Sequence, residues 1–236
     1  MAMESTLRAL VSAALEQTAV PLSCEALSVR FGRVEALIEV SVTIAPGEQV
    51  LVTGQAASGK TTWLKCLAGL QPPTSGQVRW GSDEVARLDI EERRRRQRSF
   101  GMVFQSDALF DSMTVLDNVM LPLTKRQVPR DEAVERARAV LERVGLTAAQ
   151  GKRPEELSGG MKKRVGVARA IVAQPSILLA DDPFAGLDPS TERSIAELLL
   201  EVSRGRTLVT ALPDPVASLP LRRVLRFEQG RLGSVA

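Results

Sequence analysis

The stretch QVLVTGQAASGKTT, residues 49–62, constrains the fold more than any other part of the chain. QVLVTG suits a buried strand. It runs straight into a glycine-rich loop, and an apolar helical stretch, WLKCLAGL, follows. GQAASGKT, Gly54 to Thr61, matches the pattern G-x-x-x-x-G-K-[ST], and a strand before it with a helix after it is the setting that makes this pattern specific. Glycines let backbone N–H groups turn inward around a phosphate, and the helix N-terminus adds the positive end of its dipole. Lys60 is expected to reach the β- and γ-phosphates, and the Thr61 hydroxyl to hold Mg²⁺. Gln55, Ala56, Ala57, Ser58, Gly59 and Thr62 complete the expected phosphate-binding segment.

A second strand, ILLAD, ends in a carboxylate at Asp181. An aspartate after a strand is often only a turn or helix-cap residue. Paired with the phosphate loop, it is expected to hold Mg²⁺ through water, because a parallel sheet brings distant strand ends to one edge. Between the two lies LSGGMKKR, residues 157–164, where Ser-Gly-Gly opens a helix.

Composition removes several classes of function. The 236-residue chain has no histidine, so a Ser-His-Asp triad, a His-ligated zinc site and a His general base are excluded. It has no tyrosine and only 3% aromatic residues, which argues against base-stacking nucleic-acid platforms. The net charge of +3 is too small a bias to imply nucleic acid. Cys24 and Cys66 have no metal-ligand spacing and read as reduced, buried, small apolar residues. No window approaches the roughly 18 consecutive apolar residues of a membrane span. The N-terminus lacks the pattern of a signal peptide. The expectation is a soluble, cytoplasmic protein that reaches a membrane only through a partner.

Along the chain, Leu7, Leu10, Val11, Ala14 and Leu15 place one apolar face on a helix over residues 4–18, and Pro21 ends it. That helix packs on its own domain or docks a partner. LSCEALSVRFG and IEVSVTIAP read as strands, as does QVRW after the break at PPTSG. EERRRRQR, residues 91–98, reads as a solvated helix face, with a membrane headgroup contact as the lesser reading. Residues 129–146, 159–173 and 190–204 carry helical stripes, and SILLADDP and RTLVTALP read as buried strands. The alternation of strands and helices predicts a parallel sheet.

The P-loop, LSGGM and ILLAD together resemble the ATP-binding cassette (ABC) family, over about residues 22–230. The resemblance implies an α/β fold: a P-loop NTPase (RecA-like) core with a mainly parallel sheet, an N-terminal antiparallel β region and an α-helical subdomain at about 106–165. It divides the chain into an N-terminal helical extension, 1–20, and the cassette, 21–236. It implies that Phe31 stacks on adenine. Gln105, in GMVFQSD, becomes the Q-loop glutamine that touches Mg²⁺ and the attacking water. Ser158, Gly159 and Gly160 become the signature loop, which caps the γ-phosphate held by the opposite subunit, and Asp188 becomes the D-loop residue. ATP and Mg²⁺ are the implied cofactors. A head-to-tail dimer, homo- or heteromeric, and an integral membrane permease are the implied partners, with no nucleic acid. GMVFQSDALFDSMTVLDNVMLPL, Met161 in LSGGM, and DPFAGLDP look like the ATPases of Mla/Mce-type phospholipid transport, which act with a lipid-binding partner at the cytoplasmic face of the bacterial inner membrane.

The chain departs from that family where hydrolysis occurs. The residue after Asp181 is a glutamate in the family and Asp182 here, one methylene shorter. An ungapped reading of GRTLVTALPDP puts Pro213 at the family's switch histidine. Proline offers neither a donor nor a titratable group. Ala57 stands where many cassettes carry glycine, and a positive φ there would strain the loop. Asp182 with Lys60 and Gln105 is expected to carry slow hydrolysis. The alternative is a degenerate cassette that binds ATP and pairs with an active subunit.

Overall fold

The computed structural model describes residues 19–106, 108–215 and 218–233. The expected helix over 4–18 lies outside them.

Two sheets form. β1 (Leu22–Phe31) and β2 (Val34–Ile44) make an antiparallel hairpin, with β4 (Ser75–Trp80) and the short β5 (Asp83–Glu84) on the other side of β1, giving the order β2-β1-β4-β5. The second sheet contains β3 (Gln49–Thr53), β6 (Phe100–Val103), β7 (Ile177–Asp181), β8 (Thr207–Ala211), β9 (Arg223–Glu228) and β10 (Arg231–Leu232). Its order is β10-β9-β3-β8-β7-β6, parallel throughout except for the β10 edge. The mainly parallel core and the N-terminal antiparallel region are therefore as expected.

Every residue of β7 and β8 is buried, as a parallel sheet covered on both faces requires. Ile177 and Leu179 face a core made with the antiparallel sheet and α1 (Lys60–Leu67), where Trp63 and Trp80 are fully enclosed. Leu178 and Ala180 face the opposite core. That core is shared with α3 (Val115–Lys125), α4 (Arg130–Arg143), α5 (Gly159–Ile171) and α6 (Pro189–Val202). The predicted stripes are there: Ala137 and Leu141 of α4 and Val165 and Ala168 of α5 are buried in it. No helix among the described residues is long and apolar enough to cross a membrane.

The arginine run forms α2 (Ile90–Gln97), with no buried residue. Arg94 pairs with Glu91 at 3.2 Å, and Arg95 and Arg96 share Glu92 at 2.5 and 3.0 Å. It is a solvated ladder of i,i+3 and i,i+4 pairs. Cys24 and Cys66 are both free and buried. The Trp63 indole N–H donates to the Cys24 sulfur at 3.4 Å, and burial pushes the Cys66 thiol up to about 12.

β6 and α5 approach unusually closely, and Gly101 permits it. A Cβ at Gly101 would lie 2.3 Å from the Ala170 carbonyl oxygen and 2.8 Å from Pro175 Cγ. Gly101→Ala must push a strand away from a helix, so we expect a loss of about 1–3 kcal/mol or more. Thermal unfolding reads this as about 2–4 °C for each kcal/mol in a chain of this size.

Candidate functional site

Three parallel strand ends meet at one edge of the sheet. Val52 of β3 and Asp181 of β7 both pair with Ala211 of β8, so the residues that follow each strand emerge side by side. β3 gives way to Gly54, whose φ of 145° and tight surroundings exclude a side chain. A Cβ there would lie 2.2 Å from the Phe227 carbonyl oxygen of β9. The Gly54 N–H donates to Pro213 O at 3.2 Å. Gly59 has φ 105°, and a Cβ there would sit 2.5 Å from the Ala36 carbonyl of β2. Between them Ala57 does take a positive φ, 61°. The strain anticipated from the sequence is present, at about 1–2 kcal/mol for a residue with a Cβ.

Lys60 opens α1. Its ammonium donates to the carbonyls of Gly54 at 2.5 Å and Gln55 at 2.9 Å, and to Ser58 Oγ at 3.4 Å. Gly59 supplies no side-chain cap. The N–H groups of the first turn, including Thr61 and Thr62, thus lack partners within the helix and face outward as an anion site. Burial lowers the pKa of Lys60 from its ordinary value, while Asp182, Asp181 and Asp214 act in the opposite direction.

The Thr61 hydroxyl donates to Asp181 Oδ1 at 2.9 Å, across 120 residues of chain. Asp181 is buried at the end of β7, and that burial raises its pKa against the Thr61 hydrogen bond. Two hard oxygen donors already side by side, next to a backbone anion site, fit Mg²⁺ carrying a triphosphate. When bound, that ion neutralises charge developing on the phosphate oxygens. Next in the chain, Asp182 has φ 43° and donates its N–H to Ala211 O at 2.9 Å. Its carboxylate accepts from Gln105 Nε2 at 3.2 Å. Burial raises the Asp182 pKa, with Lys163 and Lys60 opposing. The structure therefore gathers Lys60, Thr61, Gln105, Asp181 and Asp182, with Pro213 beside them.

Other expected residues lie elsewhere. Phe31 is 51% exposed where β1 turns into β2. Ser158 caps α5 by accepting from Met161 N at 3.3 Å, and Asp188 caps α6. The Asp188 carboxylate accepts four hydrogen bonds, from the N–H and hydroxyl groups of Ser190 and Thr191, which hold it well below the usual carboxylate range. Among the described residues no hydrogen bond joins Ser158, Gly159, Gly160 or Asp188 to the P-loop. The signature glycines instead adjoin residues that flank Asp188. A Cβ on Gly160 would lie 2.6 Å from Thr191 Cγ2, whereas the nearest atom to one on Gly159 is 4.0 Å away. Gly160→Ala is expected to lower the melting temperature. Gly159→Ala is expected to stay within about 0.5 kcal/mol of wild type and, where the loop meets a second subunit as the family resemblance implies, to lower ATP turnover. Thermal unfolding run beside phosphate-release assays separates the two effects.

Sequence reasoning missed Lys163. It is 5% exposed, and its ammonium donates to the Gln105 carbonyl oxygen. Its place in LSGGMKKR, as the fifth residue of the helix that opens at the signature, was the available signal.

A P-loop facing a strand-ended aspartate across a parallel sheet, flanked by an antiparallel sheet and a helical layer, defines an ATP-binding cassette. The family model for ABC transporters matches residues 37–185, and the chain belongs to that family. MgATP is the ligand of such cassettes.

Among curated relatives, the lipoprotein-releasing system ATP-binding protein LolD of Bordetella pertussis is 42% identical over 205 residues, covering 85% of this chain and 88% of its own. The methionine import ATP-binding protein MetN of Mesorhizobium japonicum is 38% identical over 217 residues, but the chain spans only 59% of that protein's length. Among solved structures, the cassette MJ0796, dimeric and bound to ADP and Pi, aligns with TM-score 0.82 at 30% identity, over 91% of this chain and 97% of its own.

Proposed function

We propose that the chain binds MgATP in a head-to-tail dimer, hydrolyses it slowly and drives a membrane permease that moves a lipid or lipid-linked cargo. The observation that carries hydrolysis is the convergence of Thr61, Asp181, Gln105 and Asp182 at one sheet edge, with hydrogen bonds of 2.9 and 3.2 Å. Lys60 binds phosphate, Thr61 and Asp181 hold the metal, and Gln105 with Asp182 orients water. In a dimer the partner's Ser158–Gly160 loop would close over this nucleotide, which explains its separation from its own P-loop. Phe31 would stack on the base.

The cargo reading rests on sequence: Met161 in LSGGM, DPFAGLDP and the segment after Gln105 resemble Mla/Mce-type phospholipid transport ATPases. A lipoprotein-releasing ATPase at 42% identity supports a cargo carrying lipid. The helical subdomain, about 106–165, would meet the permease. There Phe110 is 50% exposed, while fully buried Asn118 holds its backbone through Phe110 N at 2.8 Å and Phe110 O at 3.1 Å. An aromatic fixed by its backbone and open at its side chain suits a docking contact.

Pro213 favours a second reading, a cassette that works chiefly by binding. The ungapped reading aligns it with the switch histidine, and what it offers Gly54 is only a carbonyl.

The test is ATP turnover by the chain purified with its permease in phospholipid nanodiscs. Stimulation by a phospholipid-loaded binding partner is expected. Stimulation by methionine instead, with none from lipid, overturns the cargo reading. Turnover that is absent with every partner and unchanged by Lys60→Ala supports the binding-only reading.

A further inference from the structure

α5 carries the signature residues at its first turn. Along the same helix two cations reach back to the segment that follows β6. The Lys163 ammonium donates to the carbonyl oxygen of Gln105. Arg169 Nη1 donates to the carbonyl oxygen of Ala108 at 2.6 Å. Lys163 is buried, so its charge is committed within the fold rather than shared with water. Ala108 has φ 47°, a left-handed conformation that a residue with a Cβ adopts only when its surroundings impose it. The Gln105 side chain in turn donates to Asp182 at 3.2 Å. A continuous run therefore leads from the signature helix through Lys163 to the Gln105 backbone, then through the Gln105 amide to Asp182.

We infer that Lys163 and Arg169 are positioning residues that clamp the backbone at Gln105 and Ala108 to the signature helix. The inference rests on the assignment of Gln105 and Asp182 to water positioning. Its consequence is a link between the two sites of a dimer. The start of α5 lies over the partner's nucleotide, while Lys163, one turn further on, fixes the geometry of its own subunit's water-positioning pair. A tilt of α5 as the signature loop closes moves both, so engagement of the other subunit's nucleotide readjusts the pair that Gln105 already makes with Asp182. Charge-assisted hydrogen bonds from cations to carbonyls suit this task, since they are stronger than neutral ones.

The clamp is tested first without turnover. Hydrogen exchange of the backbone amides over 102–112 is compared in the wild type, Lys163→Met, Arg169→Met and the double variant, with and without MgATP. We expect each substitution to speed exchange in that segment by about 10-fold or more, with α5 still protected, because the loop opens locally when its anchors are lost. Unchanged exchange in the double variant overturns the clamp.

A second readout is a double-mutant cycle on steady-state ATP turnover. Lys163→Met is expected to lower kcat by about 10-fold, the scale of a small misplacement of catalytic groups. Binding of a fluorescent ATP analogue should be nearly unchanged, and cooperativity in ATP should fall. In a Gln105→Ala background the same substitution should cost clearly less, the remainder being the charge that Lys163 presents directly to Asp182. An equal cost in both backgrounds, or a matching loss of nucleotide binding, makes Lys163 merely structural and overturns the inference. Arg169→Met carries the same cycle independently if the Lys163 variant does not fold. Asp182→Asn serves as the control. If it turns over like wild type, the assignment of the water-positioning pair fails, whatever the exchange data say of the clamp.

Discussion

Lys60→Ala is expected to lower ATP turnover by at least about 10²–10³-fold, the scale set by removing a preorganised group that faces developing charge. The loss has two sources here. The ammonium lies within the P-loop, the segment proposed to hold the phosphates. It also ties the P-loop together, through Gly54 O, Gln55 O and Ser58 Oγ. Without it, a loop already strained at Ala57 has fewer anchors. Binding of a fluorescent ATP analogue should therefore weaken along with turnover, while the global fold survives, since Lys60 stands at the open edge of the sheet. Calorimetric unfolding beside a nucleotide titration checks this. A variant with wild-type turnover would remove Lys60 from the site.

The second large effect falls on Asp182. Asp182→Asn keeps the size of the side chain and the backbone bond to Ala211 but removes the carboxylate that faces Gln105. Turnover should fall by about 10²–10⁴-fold, the usual worth of a general base. Asp182→Glu restores the missing methylene and moves the carboxylate outward. Its φ of 43° places a counterweight on that gain. Aspartate tolerates the left-handed region through local hydrogen bonding, and a longer side chain there costs about 1–2 kcal/mol. We expect Asp182→Glu to raise turnover while lowering the melting temperature. Adding Pro213→His should raise turnover further, because the bond from Gly54 uses only the Pro213 carbonyl, which any residue supplies. If both restorations leave turnover unchanged and the wild type is already fast, Asp182 suffices as the base in this setting.

Much of this arrangement is legible in the sequence, for identifiable reasons. The P-loop and ILLAD announce themselves because phosphate and Mg²⁺ binding demand fixed residue types at fixed spacing. The helices after residue 129 show because their apolar stripes hold a 3.6-residue period: α4, α5 and α6 begin and end within three residues of expectation. Other elements hide. β6 is only four residues long and contains Gly101, so FGMV merges into the segment after it. α3 carries Pro122 in its interior, which masks a helix that Thr114 caps by accepting from Asp117 N at 3.1 Å. β9 alternates buried Leu225 and Phe227 with Arg226 and Glu228, a two-residue period short enough to be obscured by the arginines around it. Lys163 and Arg169 could not be read as partners of Gln105 and Ala108, because nothing in linear order says which way a long cationic side chain turns.

β9 has a meaning for the order in which this protein comes into being. It pairs with β3 directly beneath the P-loop, the Phe227 carbonyl closes against Gly54, and the Gly230 N–H donates to Ser58 O at 3.1 Å. The phosphate loop is made early in synthesis, but its floor is made more than 160 residues later. A nascent chain still short of residue 223 has every side chain proposed above to contact nucleotide and no finished cradle to hold them. Competence to take up ATP thus arrives late and all at once. Arrested or clipped fragments should be silent toward nucleotide instead of competing for it, and a ribosome-bound series of increasing length would show that step.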